Sequence, residues 1–196
     1  ITVPLHSLIF CKDQTFSYVI KRFDRFGKTG KIAVEDFAQL TGMDRETKYD
    51  ISMEKIISVL DLCTFPLIEK VLLFRRCIFN YLIGNEDMHL KNYSLITKAG
   101  KTELAPAYDF LSSTSAYLAL GKQLNQIEEI ALTLNGKKRN LTRRDWIDYF
   151  ARERLGLNSG IISDELERFS GLFDRWYDLI GNSFLSARSR IILVDL

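Results

Sequence analysis

The chain has 196 residues, of which 46% are hydrophobic, 12% aromatic and 27% charged, a balance that excludes disordered, collagenous and coiled-coil classes. Its 27 basic and 25 acidic side chains leave a net charge of +2, so the whole chain offers no argument for nucleic acid or an anionic membrane as a partner. Three cysteines with no CxxC, and only two histidines, argue against a disulfide framework or a zinc site and for a reducing, cytoplasmic setting.

The opening decapeptide ITVPLHSLIF has no basic region and no small-residue cleavage site, so it does not read as a signal peptide. Leu5–Cys11 and Thr15–Phe23 are apolar and β-branched, and Lys12-Asp13-Gln14 between them predicts an antiparallel hairpin. Phe26–Lys31 (FGKTGK) reads as a turn. Ala33–Leu40 predicts a short helix stopped by Gly42, and Ser52 is a candidate N-cap for helical spacing through Leu60. Pro66 suits the first turn of a long helix, apolar nearly all round, that ends at Gly84. Tyr93–Thr97 and Thr102–Ala105 flank Lys98-Ala99-Gly100-Lys101 and predict a second hairpin. Ile130–Leu134 is a strand-like run. Thr142–Leu155, Ser163–Ser170 and Arg175–Ala187 read as helices, with Thr142 and Ser163 as N-caps and breaks at Gly156 and Gly171. No apolar run is long enough to span a bilayer, so no membrane partner is expected.

The chemistry concentrates in Gly84-Asn85-Glu86-Asp87-Met88-His89-Leu90-Lys91-Asn92, between the buried helix and the second hairpin. Asp109, within Pro106-Ala107-Tyr108-Asp109-Phe110, follows the second strand of that hairpin. A hairpin returns to its start, so Asn92 and Asp109 are expected side by side. Phosphoryl transfer needs a carboxylate for the attacking hydroxyl and hard oxygen ligands for Mg²⁺. Asp87, then Asn92 five residues on, then a hairpin, then Asp109 follows the kinase order of catalytic Asp, metal Asn and metal Asp. Lys91 is a cation beside them, suited to the transferred phosphate.

NYLIGNEDMHLKN followed by LAPAYDF resembles the catalytic core of HipA-like serine/threonine kinases, the toxins of bacterial toxin–antitoxin systems. Phe23-Asp24-Arg25 in VIKRFDRF resembles the hinge of that family. VEDFAQLTG and Lys48-Tyr49 add to the likeness, which covers about residues 5 to 111. The resemblance implies an α+β, protein-kinase-like fold of HipA type, a partial N-lobe β-hairpin followed by a mainly α-helical C-lobe. It divides the chain into a remnant of the nucleotide lobe and hinge at 1–25 and a catalytic lobe at 26–196. It implies Asp87 as catalytic base, Asn92 and Asp109 as Mg²⁺ ligands, and His89 and Lys91 as contacts to the ATP phosphates or supports of their loop. Lys21, Arg22 and Phe23 become the hinge beside the adenine. The partners it implies are a protein substrate of the aminoacyl-tRNA synthetase class, a helix-turn-helix antitoxin, DNA only through that antitoxin, and in some members a separate N-terminal-subdomain protein.

Two departures qualify the likeness. An acidic residue is common in the family where Lys21 stands. No glycine-rich loop or pairing Lys precedes the hinge, and GKTGK at Gly27–Lys31 is not a Walker motif. Residues 1–196 are therefore expected to be inactive alone, with the missing lobe supplied upstream or by a second chain. The rival functions are a non-catalytic kinase-like scaffold that binds an antitoxin, and a lipid or small-molecule kinase, whose loops also show Asp-x-His-x-x-Asn. Phe23 also reads as core filling. Arg75 and Arg76 read as a structural ion pair or a brace for the catalytic loop. Lys137-Lys138-Arg139 with Arg143-Arg144 reads as a solvated face or a contact for DNA or an acidic partner.

Overall fold

The computed structural model describes residues 1–196. The predicted first hairpin is present as β1 (His6–Phe10) and β2 (Phe16–Ile20), antiparallel with His6 opposite Ile20. Asp13 shapes its turn by accepting from Thr15 N and Oγ1 at 3.1 and 2.7 Å. Both strands are exposed along their whole length. The FGKTGK turn joins two short strands, β3 (Arg25–Phe26) and β4 (Gly30–Lys31), through Gly27 at φ 56°.

The sheet that organises the body has the order β5-β6-β7, all antiparallel. β6 (Ser94–Lys98) and β7 (Lys101–Leu104) are the predicted second hairpin. β5 (Ala33–Asp36) corrects the expected helix at Ala33, because these residues pair with β6 and place Asp36 opposite Ser94. Helix α1 (Phe37–Thr41) starts only after Asp36, whose side chain accepts from Gln39 N while Gln39 reaches back to Asp36 N. This reciprocal cap satisfies two otherwise free donors and fixes the helix start. Gly42 ends α1 at φ 70°.

Ser52 precedes α2 (Met53–Ile56), which tightens into a 3₁₀ segment through Leu62. Helix α3 (Pro66–Leu82) has Pro66 in its first turn, as predicted. It is less completely buried than its composition suggests. Leu73, Phe74, Cys77 and Ile78 are in the core, whereas Leu67 and Ile68 are exposed. Phe37, Ile56, Leu60, Phe74, Leu90 and Phe150 lie at the heart of one continuous core.

The second half of the chain departs further from expectation. Ile130–Leu134 is buried but forms no strand, making only isolated bridges at Ser52–Thr133 and Leu134–Lys137. It fills the core by side-chain burial with no neighbouring strand edge to pair with. Helix α4 (Ser113–Ala119) was not foreseen. The helix expected at Thr142–Leu155 is π-helical over Asp145–Arg154, with Thr142 and Asp145 hydrogen-bonded to each other at its start. Helix α5 (Ser159–Ser170) begins earlier than predicted because Asn158, not Ser163, caps it. The helix expected at Arg175–Ala187 ends early, as α6 (Phe173–Gly181), and a separate α7 (Ala187–Asp195) starts where that expectation stopped, since Ser186 caps a new start by accepting from Ser189 N. No helix is long and apolar enough to cross a membrane.

Candidate functional site

The stretch from Gly84 to Asn92 emerges from the C-terminal end of α3 and enters β6, so its start and finish are anchored by the most buried helix and the central strand. Its backbone is tied down locally. Asp87 O accepts from His89 N at 2.8 Å and from Asn92 Nδ2 at 3.2 Å. The second bond orients the Asn92 side chain and leaves its Oδ1 without a hydrogen-bond partner. Helix α4 secures the other flank, with Ser113 Oγ accepting from Glu86 N at 3.0 Å and Thr114 N donating to Gly84 O at 3.0 Å.

Asp109 follows β7 and lies at φ 61°, a left-handed conformation that Asp tolerates better than most residues. Asn85, only 1% exposed, bridges the two segments. Its Nδ2 donates to Asp109 O at 3.1 Å and to Asn80 Oδ1 of α3 at 2.9 Å. This bond brings Asp109 to the start of the loop that ends at Asn92, at Asn85 and not at Asn92 itself. The Asp109 side chain is exposed and its carboxylate accepts no hydrogen bond within the chain.

His89 is 7% exposed, and its Nδ1 is buried with no partner. Burial, and then the charge of Lys48, push its imidazole below the ordinary value, against the opposing pull of Asp87 and Asp109. The ring is therefore held neutral and poor in internal bonds. Glu86 is pushed up, first by burial and then by Asp87 next to it. Lys91 is exposed and its ammonium makes no ion pair, while its carbonyl accepts from Tyr108 Oη at 2.9 Å. Tyr108 Oη also bonds Ser94 Oγ at 2.5 Å, so the residue before Asp109 is pinned to the head of β6.

Of the hinge residues, Phe23 reaches this region, its ring stacked on Tyr108 at a centroid distance of 5.9 Å. The backbone groups of Arg22 and Phe23 make no hydrogen bonds within the chain, whereas Lys21 N donates to Leu5 O. The Arg22 guanidinium is engaged by Asp24 at 2.9 and 2.6 Å, and Arg25 shares the same carboxylate. The Lys21 side chain is exposed and makes no hydrogen bond or ion pair.

Arg75 forms the expected ion pair, with Glu165 of α5. Arg76 is a brace, but not of the Asp87 loop. Its guanidinium donates to Ala105 O at 2.6 Å, at the exit of β7 toward Asp109. In the basic cluster, Lys137 is paired with Asp145 and Lys138 with Glu128, while Arg139, Arg143 and Arg144 make no ion pair. That leaves three guanidinium groups on a solvated face.

Sequence reasoning gave no role to Asn85, Tyr108, Ser113 or Tyr49. Tyr49 Oη donates to Asp87 Oδ1 at 2.5 Å across 38 residues of chain. Nothing in its local pattern marks it, apart from its place in the Lys48-Tyr49 pair.

Comparison with known proteins shows the family and the fold. The family described as HipA-like C-terminal domain matches residues 1–176. A protein of Haemophilus influenzae with a provisional kinase name is 31% identical over 188 residues, which is 84% of this chain and 54% of its own length. The serine/threonine-protein kinase toxin HipA of Shewanella oneidensis is 33% identical over 73 residues, 37% of this chain and 17% of the toxin. The solved structure of Shewanella oneidensis HipA with HipB and its operator DNA superposes with a TM-score of 0.77 at 21% identity, covering 100% of this chain and 51% of that one. The chain thus spans about half the length of the Haemophilus relative and of the superposed toxin. Its fold is the α+β, kinase-like fold of HipA.

Proposed function

This chain belongs to the HipA-like C-terminal domain family, and from that membership we propose that it is the catalytic portion of an ATP- and Mg²⁺-dependent protein serine/threonine kinase. The observation that carries the reading is the joining of the Asp87–Asn92 loop to Asp109 through buried Asn85, with the side-chain oxygens of Asn92 and Asp109 left unpaired. Kinase names among the relatives support the same class.

The donor set fits Mg²⁺. It is an amide oxygen and a carboxylate, both hard, and Mg²⁺ in phosphoryl-transfer sites is held by one or two such groups together with substrate phosphates. Bound there, the ion would neutralise charge on the phosphates. The remaining work belongs to the chain. Asp87 would accept the proton of the acceptor Ser or Thr hydroxyl as the hydroxyl oxygen bonds to the γ-phosphorus of ATP and the bond from that phosphorus to its bridging oxygen breaks, releasing ADP. His89 and Lys91 face the phosphates, His89 as a neutral hydrogen-bonding group and Lys91 as a free cation. Arg22 and Phe23 offer their unpaired backbone to the adenine edge, and Lys21 extends the same hinge. The division into 1–25 and 26–196 follows this hinge.

The β1–β2 hairpin supports completion by further β-structure. Leu8, Ile9, Phe10, Phe16 and Tyr18 are all exposed on a two-stranded sheet. Isolated hairpins of this kind are marginal in water and invite a partner strand. We assign that role to the rest of the nucleotide lobe, in the same protein or on a separate chain. The superposed toxin is in complex with HipB and operator DNA. By analogy the partner proposed here is a helix-turn-helix antitoxin, with DNA engaged through it, and the substrate is a protein of the aminoacyl-tRNA synthetase class.

The test is phosphate transfer from radiolabelled ATP by the full-length protein. Asp87→Asn should keep the melting temperature and nucleotide binding and lose transfer by orders of magnitude. Wild-type turnover in that variant would remove Asp87 from the role of base.

A further inference from the structure

We propose that Tyr49 is a positioning residue that fixes the Asp87 carboxylate for proton acceptance. The proposal rests on the reading of Asp87 as the base. It identifies what orients that group, on a segment distant from the catalytic loop.

The Asp87 carboxylate has one hydrogen-bond partner in the chain, Tyr49 Oη at 2.5 Å on Oδ1. The neighbouring bonds from His89 N and Asn92 Nδ2 go to the Asp87 carbonyl and fix the backbone only. Without the phenol, the side-chain torsions of Asp87 are unrestrained by any polar contact. With it, Oδ1 is occupied and Oδ2 is left for an incoming hydroxyl. A single donor on one oxygen selects which oxygen serves as base and in which direction it faces.

The segment that presents Tyr49 is itself built to hold still. Asp44 accepts from Glu46 N at 2.8 Å, Thr47 N at 2.9 Å and Thr47 Oγ1 at 2.9 Å, and Asp50 N donates to Thr47 O at 2.9 Å. Lys48 O accepts from Leu90 N at 3.4 Å, tying this turn directly to the Asp87 loop. The Tyr49 ring stands edge-on to His89, with centroids 5.2 Å apart and planes at 82°. Lys48 Nζ lies 4.8 Å from the Tyr49 ring centroid. The ring is thus fixed from two directions before its hydroxyl meets Asp87. Burial first, and then the bond to Asp87, push the phenol well above its ordinary value, so it remains a donor and does not compete as a base.

The arrangement has a kinetic signature. A group that orients the base acts on the chemical step and leaves nucleotide binding alone. Misplacing a reacting group by about 1 Å costs about 100-fold in rate. In the full-length protein, Tyr49→Phe retains the ring against His89 and Lys48 and removes only the hydroxyl. It should lower kcat by about 10- to 100-fold, with KM for ATP changed less than about twofold and the melting temperature unchanged. Asp87→Glu moves the carboxylate out of register with the phenol, so adding Tyr49→Phe to it should cost less than about threefold more.

Unchanged kcat in Tyr49→Phe would overturn the proposal. So would a raised KM for ATP at constant kcat, or a loss that vanishes once rates are normalised to the folded fraction. An inactive Asp87→Asn beside a fully active Tyr49→Phe would sink the role of Tyr49 alone. Full activity in Asp87→Asn would sink the reading of the base, and this proposal with it.

Discussion

Asn85 is the least conspicuous residue of the candidate site and the one on which its assembly depends. Its Nδ2 serves two acceptors, Asn80 Oδ1 at 2.9 Å and Asp109 O at 3.1 Å, from a position 1% exposed. Asn85→Ala leaves both without that donor. Asn80 is buried, so its orphaned oxygen bears the full desolvation penalty of about 1–3 kcal/mol. Asp109 is exposed, and water can replace the bond to its carbonyl. Asn85 Oδ1 is itself buried without a partner, and its removal offsets part of the loss. The net expectation is destabilisation at the lower end of that range, by about 1 kcal/mol. For a chain of this size each kcal/mol moves Tm by about 2–4 °C, giving a fall of about 2–4 °C. The larger functional effect is on Asp109, which holds φ 61° with this bond as a restraint. Releasing it should weaken Mg²⁺-nucleotide binding by about tenfold, equivalent to about 1.4 kcal/mol, and leave metal-free nucleotide binding nearly unchanged. Calorimetric titration with and without Mg²⁺, beside thermal unfolding, reads both quantities. A variant that melts with the wild type and binds Mg²⁺-nucleotide equally well would refute the claim that Asn85 joins the two halves.

Asp109→Asn should likewise weaken Mg²⁺-nucleotide binding far more than metal-free binding, because the lost charge acts through the cation; equal losses in calorimetry would count against Asp109 as a ligand. Arg75→Met should destabilise by about 1.5–3 kcal/mol in chemical denaturation, since it removes the two-bond partner of buried Glu165 and leaves only the longer contact from Arg168 at 3.4 Å, and pairing it with Glu165→Met should restore much of the loss. Burial tends to raise the Asp145 carboxyl, but the bonds from Thr142, Lys137 and Asn135 prevail and hold it well below the usual range. Its contribution to stability is therefore present above about pH 3.9 and is lost as pH falls through the folded-state value. Asp145→Asn should accordingly lower stability at neutral pH and flatten its pH dependence below about pH 4, and an acid-unfolding curve as steep as the wild type would contradict this. Phe10→Ser with Tyr18→Ser should leave the melting of the helical body unchanged and reduce kinase activity of the full-length protein, if the exposed hairpin docks further β-structure; unimpaired activity would argue that nothing docks there.

What was legible in the sequence was what local chemistry decides. Asp13 and Gly27 announce the first turns, Pro66 announces α3, and Gly100 announces the β6–β7 turn, because in each case one residue type satisfies a backbone need that few others meet. The helix predicted from Ala33 starts only at Phe37, because β6 supplied Ala33–Asp36 with pairing partners that a local window does not contain. Ile130–Leu134 failed in the opposite sense. Its apolar run satisfied a core position without a strand to receive it. The last predicted helix ran past Gly181 because Phe184 and Leu185 continue its apolar run, and they masked Ser186, whose capping bond, as local as any, starts α7.

The site shows the same boundary more sharply. Asp87, Asn92 and Asp109, proposed here as base and metal ligands, stand out in the sequence because their order around a hairpin is a one-dimensional pattern. Asn85 lay inside the conspicuous stretch and still received no role, since its function is to reach out of that stretch, to α3 and to the far end of the hairpin. Tyr49 lay outside the stretch altogether, 38 residues from the carboxylate it contacts. Residues that meet the substrate are constrained by chemistry and so fall into recognisable types. Residues that orient them are constrained only by where the fold brings them, and several donors would serve. A phenol, an amide or a hydroxyl can each hold a carboxylate, so composition does not single one out. The orienting residues of this site therefore become visible only with the third dimension, and it is there that variants should separate kcat from binding.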